Sequence, residues 1–379
     1  MRRPCDIAVI FGDDGRRLAR ELLNELRPGT DWPRDAEIAL KPNLILAKSA
    51  ASGATTHPEV VAGVIEYLQD EGFRRICIME GSWVGDRTAR ALEVCGFRAL
   101  SRRYGVELVD LQTDAAEDRL VDGVRLRVCR RVLQTGRLIN LPVLKGHCQT
   151  RLTCALKNLK GCIPDSEKRR YHELGVHRPV ALLNTVIRPA FTLVDGLCGD
   201  PGFEEGGEPA PGRRLLAGWD PVLLDVYAAG LLGLAPDDVP YIGMAAALGV
   251  GRADLSAARV RYLNRGEGVC THIEREAAKP YRGCIQEEAA CSACFGSLVG
   301  ALRCLEAARA IPDGLRFAIG QGFRGRDGTA LGIGDCTRGF AAHVPGCPPR
   351  LADIVAAVRE AGGHAPRGAG GVPRGHGDG

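Results

Sequence analysis

Four cysteines near the C-terminus have the spacing of a metal centre. Cys291 and Cys294 form a Cys-x-x-Cys pair at the start of a helical pattern, while Cys336 and Cys347 lie in glycine-containing turns. Two thiolates three residues apart can bind one centre together, and backbone amides in glycine turns can donate to cluster sulfides. Four thiolates suit either a [4Fe–4S] cluster or a tetrahedral zinc ion. The spacing therefore predicts a metal centre held by these four cysteines.

A second group of reactive side chains follows an apolar stretch in the middle of the chain. Residues 138–144 have the composition of a buried strand, and cationic and hydroxyl side chains follow it directly. In α/β proteins, anions bind beyond the carboxyl end of a strand, where the next helix presents its positive end. We expect a short helix over residues 152–159 and an anionic ligand such as a carboxylate or phosphate. The alternative is a solvated basic helix face.

Polar groups recur at two other predicted strand ends, Lys41-Pro42-Asn43 and Glu80-Gly81-Ser82. Because parallel strands end at one edge of a sheet, we predict that these groups share a cleft with the central segment. The predicted catalytic groups, which include carboxylates able to move a proton, are Lys145, His147, Glu80, Asp195 and Asp225. The predicted substrate-binding groups are Lys41, Asn43, His57, Thr153, Lys157, Asn158 and Lys160.

Strand and helix patterns alternate through most of the chain, which predicts an α/β fold with a mostly parallel sheet and helices on both faces. A smaller C-terminal α/β module carries the cysteine motif. We place the larger domain at residues 1–268 and the module at residues 285–361. Residues 362–379 are rich in glycine, proline, histidine and arginine, and we expect them to form a disordered tail.

Composition limits the classes of function. The net charge of +4 is too small to indicate nucleic-acid binding, and no apolar run is long enough to span a bilayer. The N-terminus is better interpreted as a first strand than as a signal peptide, so we expect a cytoplasmic protein. Fifteen cysteines in a reducing compartment indicate metal or redox chemistry rather than disulfides.

Five motifs resemble the family called domain of unknown function 362. They are KPNL at Lys41, THPEV at Thr56, LPVLKGH followed by LTCALKNLKG, VDG at Asp195 and WDPVLLD at Asp220. The resemblance covers about the first 265 residues. It implies a compact α/β domain that is often joined to an iron–sulfur module. Members often have a smaller residue where this chain has Cys148, Cys154 and Cys162. We interpret these three cysteines as free thiols and not as a metal site with His147, because they lack a compact ligand pair such as Cys-x-x-Cys.

The C-terminal pattern C-x-x-C, G-x-C and V-P-G-C-P-P resembles the proximal-cluster segment of nickel–iron hydrogenase small subunits and the related subunit of respiratory complex I. This resemblance implies a [4Fe–4S] cluster bound by Cys291, Cys294, Cys336 and Cys347, with zinc as the less favoured occupant.

A cluster beside a cationic cleft suggests an iron–sulfur oxidoreductase or electron-transfer protein that acts on an anionic small molecule or a redox partner. The alternatives are a cluster-assisted lyase and a binding or maturation module with a structural cluster or zinc. Whether the protein is an enzyme stays open at this point.

Overall fold

The computed structural model describes residues 5–264, 281, 283–288, 290, 292–307, 310–312 and 314–363. The chain divides into two compact units, residues 1–279 and 280–379. The helices and strands of the first unit are, in chain order, β1 (Ile7–Phe11), α1 (Gly15–Leu26), β2 (Ile38–Pro42), α2 (Pro58–Asp70), β3 (Ile76–Glu80), α3 (Thr88–Val94), α4 (Phe97–Tyr104), β4 (Glu107–Asp110), β5 (Ala116–Val121), β6 (Val124–Cys129), α5 (Arg130–Leu133), β7 (Arg137–Leu141), β8 (Lys145–His147), β9 (Arg151–Thr153), α6 (Ala155–Asn158), α7 (Asp165–Glu173), α8 (His177–Val186), β10 (Phe191–Gly199), β11 (Ala210–Gly218), α9 (Pro221–Leu231), α10 (Pro240–Ala247) and β12 (Val260–Tyr262).

Eight strands of this unit form one sheet in the order β12-β1-β11-β10-β7-β2-β3-β4. Only β11 runs antiparallel to its two neighbours; the other adjacent pairs are parallel. The predicted fold class is therefore confirmed. Helices cover both faces of the sheet. Alternate residues of a strand point to opposite faces, and neighbouring residues of β1 show this. Ala8 of β1 belongs to the buried cluster that includes α1 and α2, and Val9 belongs to the one that includes α9 and α10.

The central segment is more irregular than its sequence suggested. The helix expected over residues 152–159 is confined to α6, Ala155–Asn158, and an antiparallel hairpin of β8 and β9 precedes it. Lys145 and Thr153 face each other in this hairpin. The chain thus leaves β7, forms the hairpin and returns to a four-residue helix within a short span. This path places many polar side chains beside the end of the sheet.

The second unit contains β13 (Ile285–Glu287), α11 (Ser292–Ala307), β14 (Phe317–Ile319), β15 (Leu331–Ile333), β16 (Ala342–Val344) and α12 (Leu351–Gly363). Its four strands form a parallel sheet in sequence order. Apolar residues of α11 and α12, including Leu302 and Val358, pack in one buried cluster with the sheet. Helix α12 includes the first two residues of the predicted tail, and residues 364–379 lie outside the described part of the chain.

Within the described ranges, no helix is both long enough and apolar enough to cross a membrane.

Candidate functional site

Helix α6 is held in place by a carboxylate from a distant part of the chain. The side chain of Asp225, in α9, accepts hydrogen bonds from the backbone amides of Ala155 and Leu156, at 2.6 and 3.2 Å. Burial raises the pKa of Asp225 to about 7, although both hydrogen bonds oppose this effect. Asp225 was predicted as a catalytic group; its contacts here are those of a cap on the first turn of α6.

The end of β2 forms a buried ion pair with the end of β3. Lys41 Nζ donates to Glu80 Oε2, and both side chains are almost fully excluded from solvent. The same ammonium donates to the carbonyl of Pro42 at 2.8 Å. Asn158 of α6 donates to the carbonyl of Lys41 and to Asn140 Oδ1, at 3.2 and 2.8 Å. The predicted groups Lys41, Glu80 and Asn158 are thus joined around one strand end.

Lys145 lies in a separate buried environment. Its ammonium donates to Asn43 Oδ1 at 3.3 Å, to the carbonyl of Glu204 at 2.8 Å and to the carbonyl of Ala54. Burial and the nearby charge of Lys157 lower the pKa of Lys145 to about 7. The amine therefore changes charge near neutral pH, as a proton-transfer group would need.

His147 and Cys148 lie against the carboxylate of Glu204, a residue that the sequence did not single out. Glu204 Oε2 accepts from the Cys148 backbone amide at 3.1 Å, and Oε1 accepts from the Cys148 thiol at 3.4 Å. His147 Nε2 is 3.5 Å from Oε1. Glu204 is 1% exposed and arrives on the connection between β10 and β11.

His147, Cys148 and Glu204 place one potential metal ligand each within 4.8 Å of one another, which makes them a possible metal-binding group. The hydrogen bonds of the imidazole weigh against a metal on Nε2. His147 Nδ1 accepts from the amides of Gln149 and Thr150, both at 3.1 Å, so a neutral ring carries its proton on Nε2. A metal-bound histidine normally donates from its other nitrogen. Burial lowers the pKa of His147, and the charges of neighbouring lysines, Lys157 first, lower it further. These positive charges would also repel a metal cation.

Lys157 is a buried ammonium with little to balance it. It is 7% exposed, and its nearest hydrogen-bond acceptor is Thr153 Oγ1 at 3.5 Å. Among the described residues, no carboxylate lies within 4 Å of its nitrogen. Burial lowers the pKa of Lys157 to about 8, and the charge of Glu204 acts in the opposite direction. At neutral pH, most Lys157 side chains therefore carry a charge that a bound anion would neutralise.

Two further predicted groups form pairs near the site. His57 donates from its backbone amide to Asp195 Oδ2, and its Nδ1 lies 2.8 Å from the same oxygen. Burial alone would lower the pKa of His57, but the Asp195 carboxylate outweighs it and raises the pKa. Lys160 Nζ is 2.9 Å from His172 Nε2. Burial lowers the pKa of His172 to about 3, so its imidazole is neutral and accepts a hydrogen bond from Lys160.

The residues of the predicted cleft thus fall into several separate polar groups. Lys145, His147 and Lys157 surround Glu204, whereas Lys41 with Glu80, His57 with Asp195, and Asp225 each satisfy one another or the backbone. The catalytic and binding roles of these residues stay predictions. Glu204 has no local sequence signal apart from the glycine-rich loop around it.

In the second unit, two cysteine loops are hydrogen-bonded side by side. Gly334 donates to the carbonyl of Val344 at 2.8 Å, and Asp335 donates to the carbonyl of Gly346 at 3.0 Å. Gly346 donates back to Asp335 Oδ1 at 2.9 Å. These loops follow the parallel strands β15 and β16, and Cys336 and Cys347 are the next residues along them. Both cysteines are therefore held at one edge of the small sheet.

Cys294, in the first turn of α11, reaches the same edge. Gly334 has a φ of +87°, and a Cβ added to it would lie 3.4 Å from Cys294 Sγ. The Cys294 thiol thus lies beside the turn that leads to Cys336. Arg324 Nε donates to Cys336 Sγ at 3.4 Å, which places a positive charge beside this sulfur. The predicted fourth ligand, Cys291, lies outside the described residues.

The family to which this chain belongs is the one described as Domain of unknown function (DUF362), since residues 38–230, just over half of the chain, match it. The predicted resemblance is confirmed for the first unit. The match ends before the C-terminal cysteines, so the resemblance to hydrogenase small subunits stays a prediction. A thylakoid-associated protein of Synechocystis sp. is 28% identical over 239 residues, covering 60% of this chain and 70% of the relative.

Proposed function

We propose that the protein binds a [4Fe–4S] cluster through Cys291, Cys294, Cys336 and Cys347 and works as an oxidoreductase or electron-transfer protein in the cytoplasm. Its substrate would be an anionic small molecule, or its partner another redox protein. The observation that carries the proposal is the convergence of Cys294 with the Cys336 and Cys347 loops at one edge of a parallel sheet. When bound, such a cluster exchanges single electrons.

The cysteine motif favours the cluster over zinc. The Gly-Cys-Pro-Pro turn at Cys347 resembles that of iron–sulfur subunits, whereas zinc ribbons usually offer two Cys-x-x-Cys pairs.

The test is reconstitution of the full-length protein with iron and sulfide without oxygen. We expect about four irons and four sulfides per chain and broad absorbance near 400 nm that dithionite bleaches. Cys347→Ala should lose most of the bound iron, because a cluster with three thiolates is held less tightly. Cys304→Ala is the matched control, since Cys304 is exposed on α11, the helix that carries Cys294.

Three results would contradict the proposal. Equal iron in Cys347→Ala and Cys304→Ala would show that the ligands are wrongly assigned. One zinc per chain that resists replacement by iron would favour a zinc module. A full cluster that dithionite and mild oxidants leave unchanged would show a structural role and exclude electron transfer.

A further inference from the structure

Glu204 occupies a position that suits the carboxylate of a ligand. Its two oxygens receive the Cys148 amide and thiol, and His147 Nε2, the nitrogen that carries the ring proton, is 3.5 Å away. Backbone N–H groups and cationic or imidazole donors are the usual partners of bound carboxylates. These contacts hold a carboxylate, whether it belongs to the protein or to a ligand.

A buried positive charge near this position also lacks a close counter-ion. Lys157 is more than nine-tenths buried, yet among the described residues its only hydrogen-bond acceptor is the Thr153 hydroxyl at 3.5 Å. Glu204 influences Lys157 through space but does not form an ion pair with it within 4 Å. A buried ammonium without a close counter-ion is costly unless an anion reaches it. The uncompensated charge thus lies beside the carboxylate position.

The loop that carries Glu204 is folded independently of that carboxylate. Asp200 Oδ1 accepts from the amides of Gly202 and Phe203, at 2.9 and 2.8 Å, and its Oδ2 accepts from the amide of Glu208 at 2.9 Å. Gly146 also donates to the Asp200 carbonyl at 2.7 Å. None of these bonds uses the Glu204 carboxylate, so displacement of that side chain leaves them intact.

We propose that His147, Cys148 and Lys157 form a receptor for the carboxylate of a small organic acid, and that Glu204 fills this receptor as an internal substitute when no ligand is bound. A ligand must then displace the Glu204 side chain. Acids that make few contacts with the receptor therefore bind weakly. The inference rests on the acidic substrate of the proposed function but involves no cysteine of the second unit.

A divalent metal would use His147, Cys148 and Glu204, and it predicts the opposite response to a change at Glu204. Replacing Glu204 with glutamine removes a ligand from a metal site and should weaken metal binding. The same change removes a competing negative charge from an anion site and should strengthen acetate binding. Glutamine also keeps an oxygen for the Cys148 amide, so the local hydrogen bond is retained.

The experiment measures how acetate protects Cys148 from alkylation by iodoacetamide in the full-length protein, with residue-resolved mass spectrometry. Each rate is compared with and without acetate at constant ionic strength, which cancels changes in the reactivity of the thiol itself. Cys304, which is exposed, is the reference thiol, and Cys77, which is 1% exposed, should stay unlabelled while the first unit is folded.

In Glu204→Gln, half-maximal protection should need an acetate concentration at least about tenfold lower than in the wild type, equivalent to about 1.4 kcal/mol. Adding Lys157→Met to this variant should raise that concentration again by about tenfold. The effect should be the same in a Cys347→Ala background, so a failure of the cluster proposal would not affect it.

Equal protection of the wild type and Glu204→Gln would overturn the inference, as would protection by chloride equal to that by acetate. Protection by zinc that is strong in the wild type and lost in Glu204→Gln would assign His147, Cys148 and Glu204 to a metal site. If Cys77 is alkylated in the variant that carries Lys157→Met, that variant is unfolded. The comparison of the wild type with Glu204→Gln then decides the outcome.

Discussion

Removal of the Lys41 ammonium should leave the buried Glu80 carboxylate without its counter-ion, at a large cost to the free energy of unfolding. Lys41 and Glu80 are 0% and 2% exposed, and their ion pair is shielded from water. Breaking a buried pair costs about 3–5 kcal/mol, because the remaining charge keeps its desolvation penalty. Glu80 still accepts from the Gly81 and Leu44 amides, at 2.8 and 3.3 Å, so we expect Lys41→Met to lie near the lower value, about 3 kcal/mol.

The assay is urea unfolding followed by tryptophan fluorescence. All three tryptophans, Trp32, Trp83 and Trp219, belong to the first unit, so the signal reports this unit even in the full-length chain. With a slope of about 1–3 kcal/mol per molar urea, a loss of about 3 kcal/mol lowers the midpoint by about 1 M or more.

A double-mutant cycle isolates the pair. Lys41→Met with Glu80→Gln removes both charges and should be more stable than the sum of the single effects predicts, by at least about 2 kcal/mol. Arg178→Met is the control, because Arg178 and Asp122 form an exposed pair, and it should leave the midpoint unchanged. Additive single effects, or a midpoint for Lys41→Met equal to that of the control, would refute the reasoning.

Three other changes test neighbouring parts of the structure. In the wild type, the free energy of unfolding should fall as the pH rises from about 4 to 7. Asp225→Asn should remove this fall, as measured by urea titrations. The folded-state pKa is raised to about 7, so the ionised form is disfavoured, by about 1.4 kcal/mol per pH unit and about 4 kcal/mol at most. Gly146→Ala should destabilise the first unit by about 1–3 kcal/mol in the same assay, because its Cβ would lie 2.2 Å from the Pro201 carbonyl oxygen. Arg324→Gln should lower the reduction potential of the reconstituted cluster in a redox titration, since a positive charge beside Cys336 stabilises the reduced form.

The layered fold could be predicted because its signals are local. The start of α9 follows from Asp220 and Pro221: the aspartate side chain accepts from the amides two and three residues later, and proline fits the first turn. The break between α3 and α4 follows from Gly96, which adopts a φ of +82°. The hairpin of β5 and β6 was missed although Asp122-Gly123, both with positive φ, is a recognised hairpin turn.

The details of the site could not be predicted in the same way, because they depend on contacts between distant residues. Glu204 meets Cys148 across 56 residues, and Asp225 meets Ala155 across 70. No spacing rule connects such pairs, and a glutamate in a glycine-rich loop resembles any solvated one. The sequence could identify Lys145 and Lys157 as cationic groups after a strand, but not the carboxylate that lies beside them.

The capping of α6 by Asp225 has a consequence for the order of events during synthesis. A four-residue helix is too short to be stable alone, and its cap lies 70 residues further along the chain. At about 5–20 residues per second, a ribosome adds Asp225 about 4–14 s after Ala155. During that interval the thiols of Cys148, Cys154 and Cys162 belong to a segment that has no completed fold. During synthesis this segment is therefore open to thiol oxidation and chaperone binding, although Cys154 and Cys162 are buried in the folded protein.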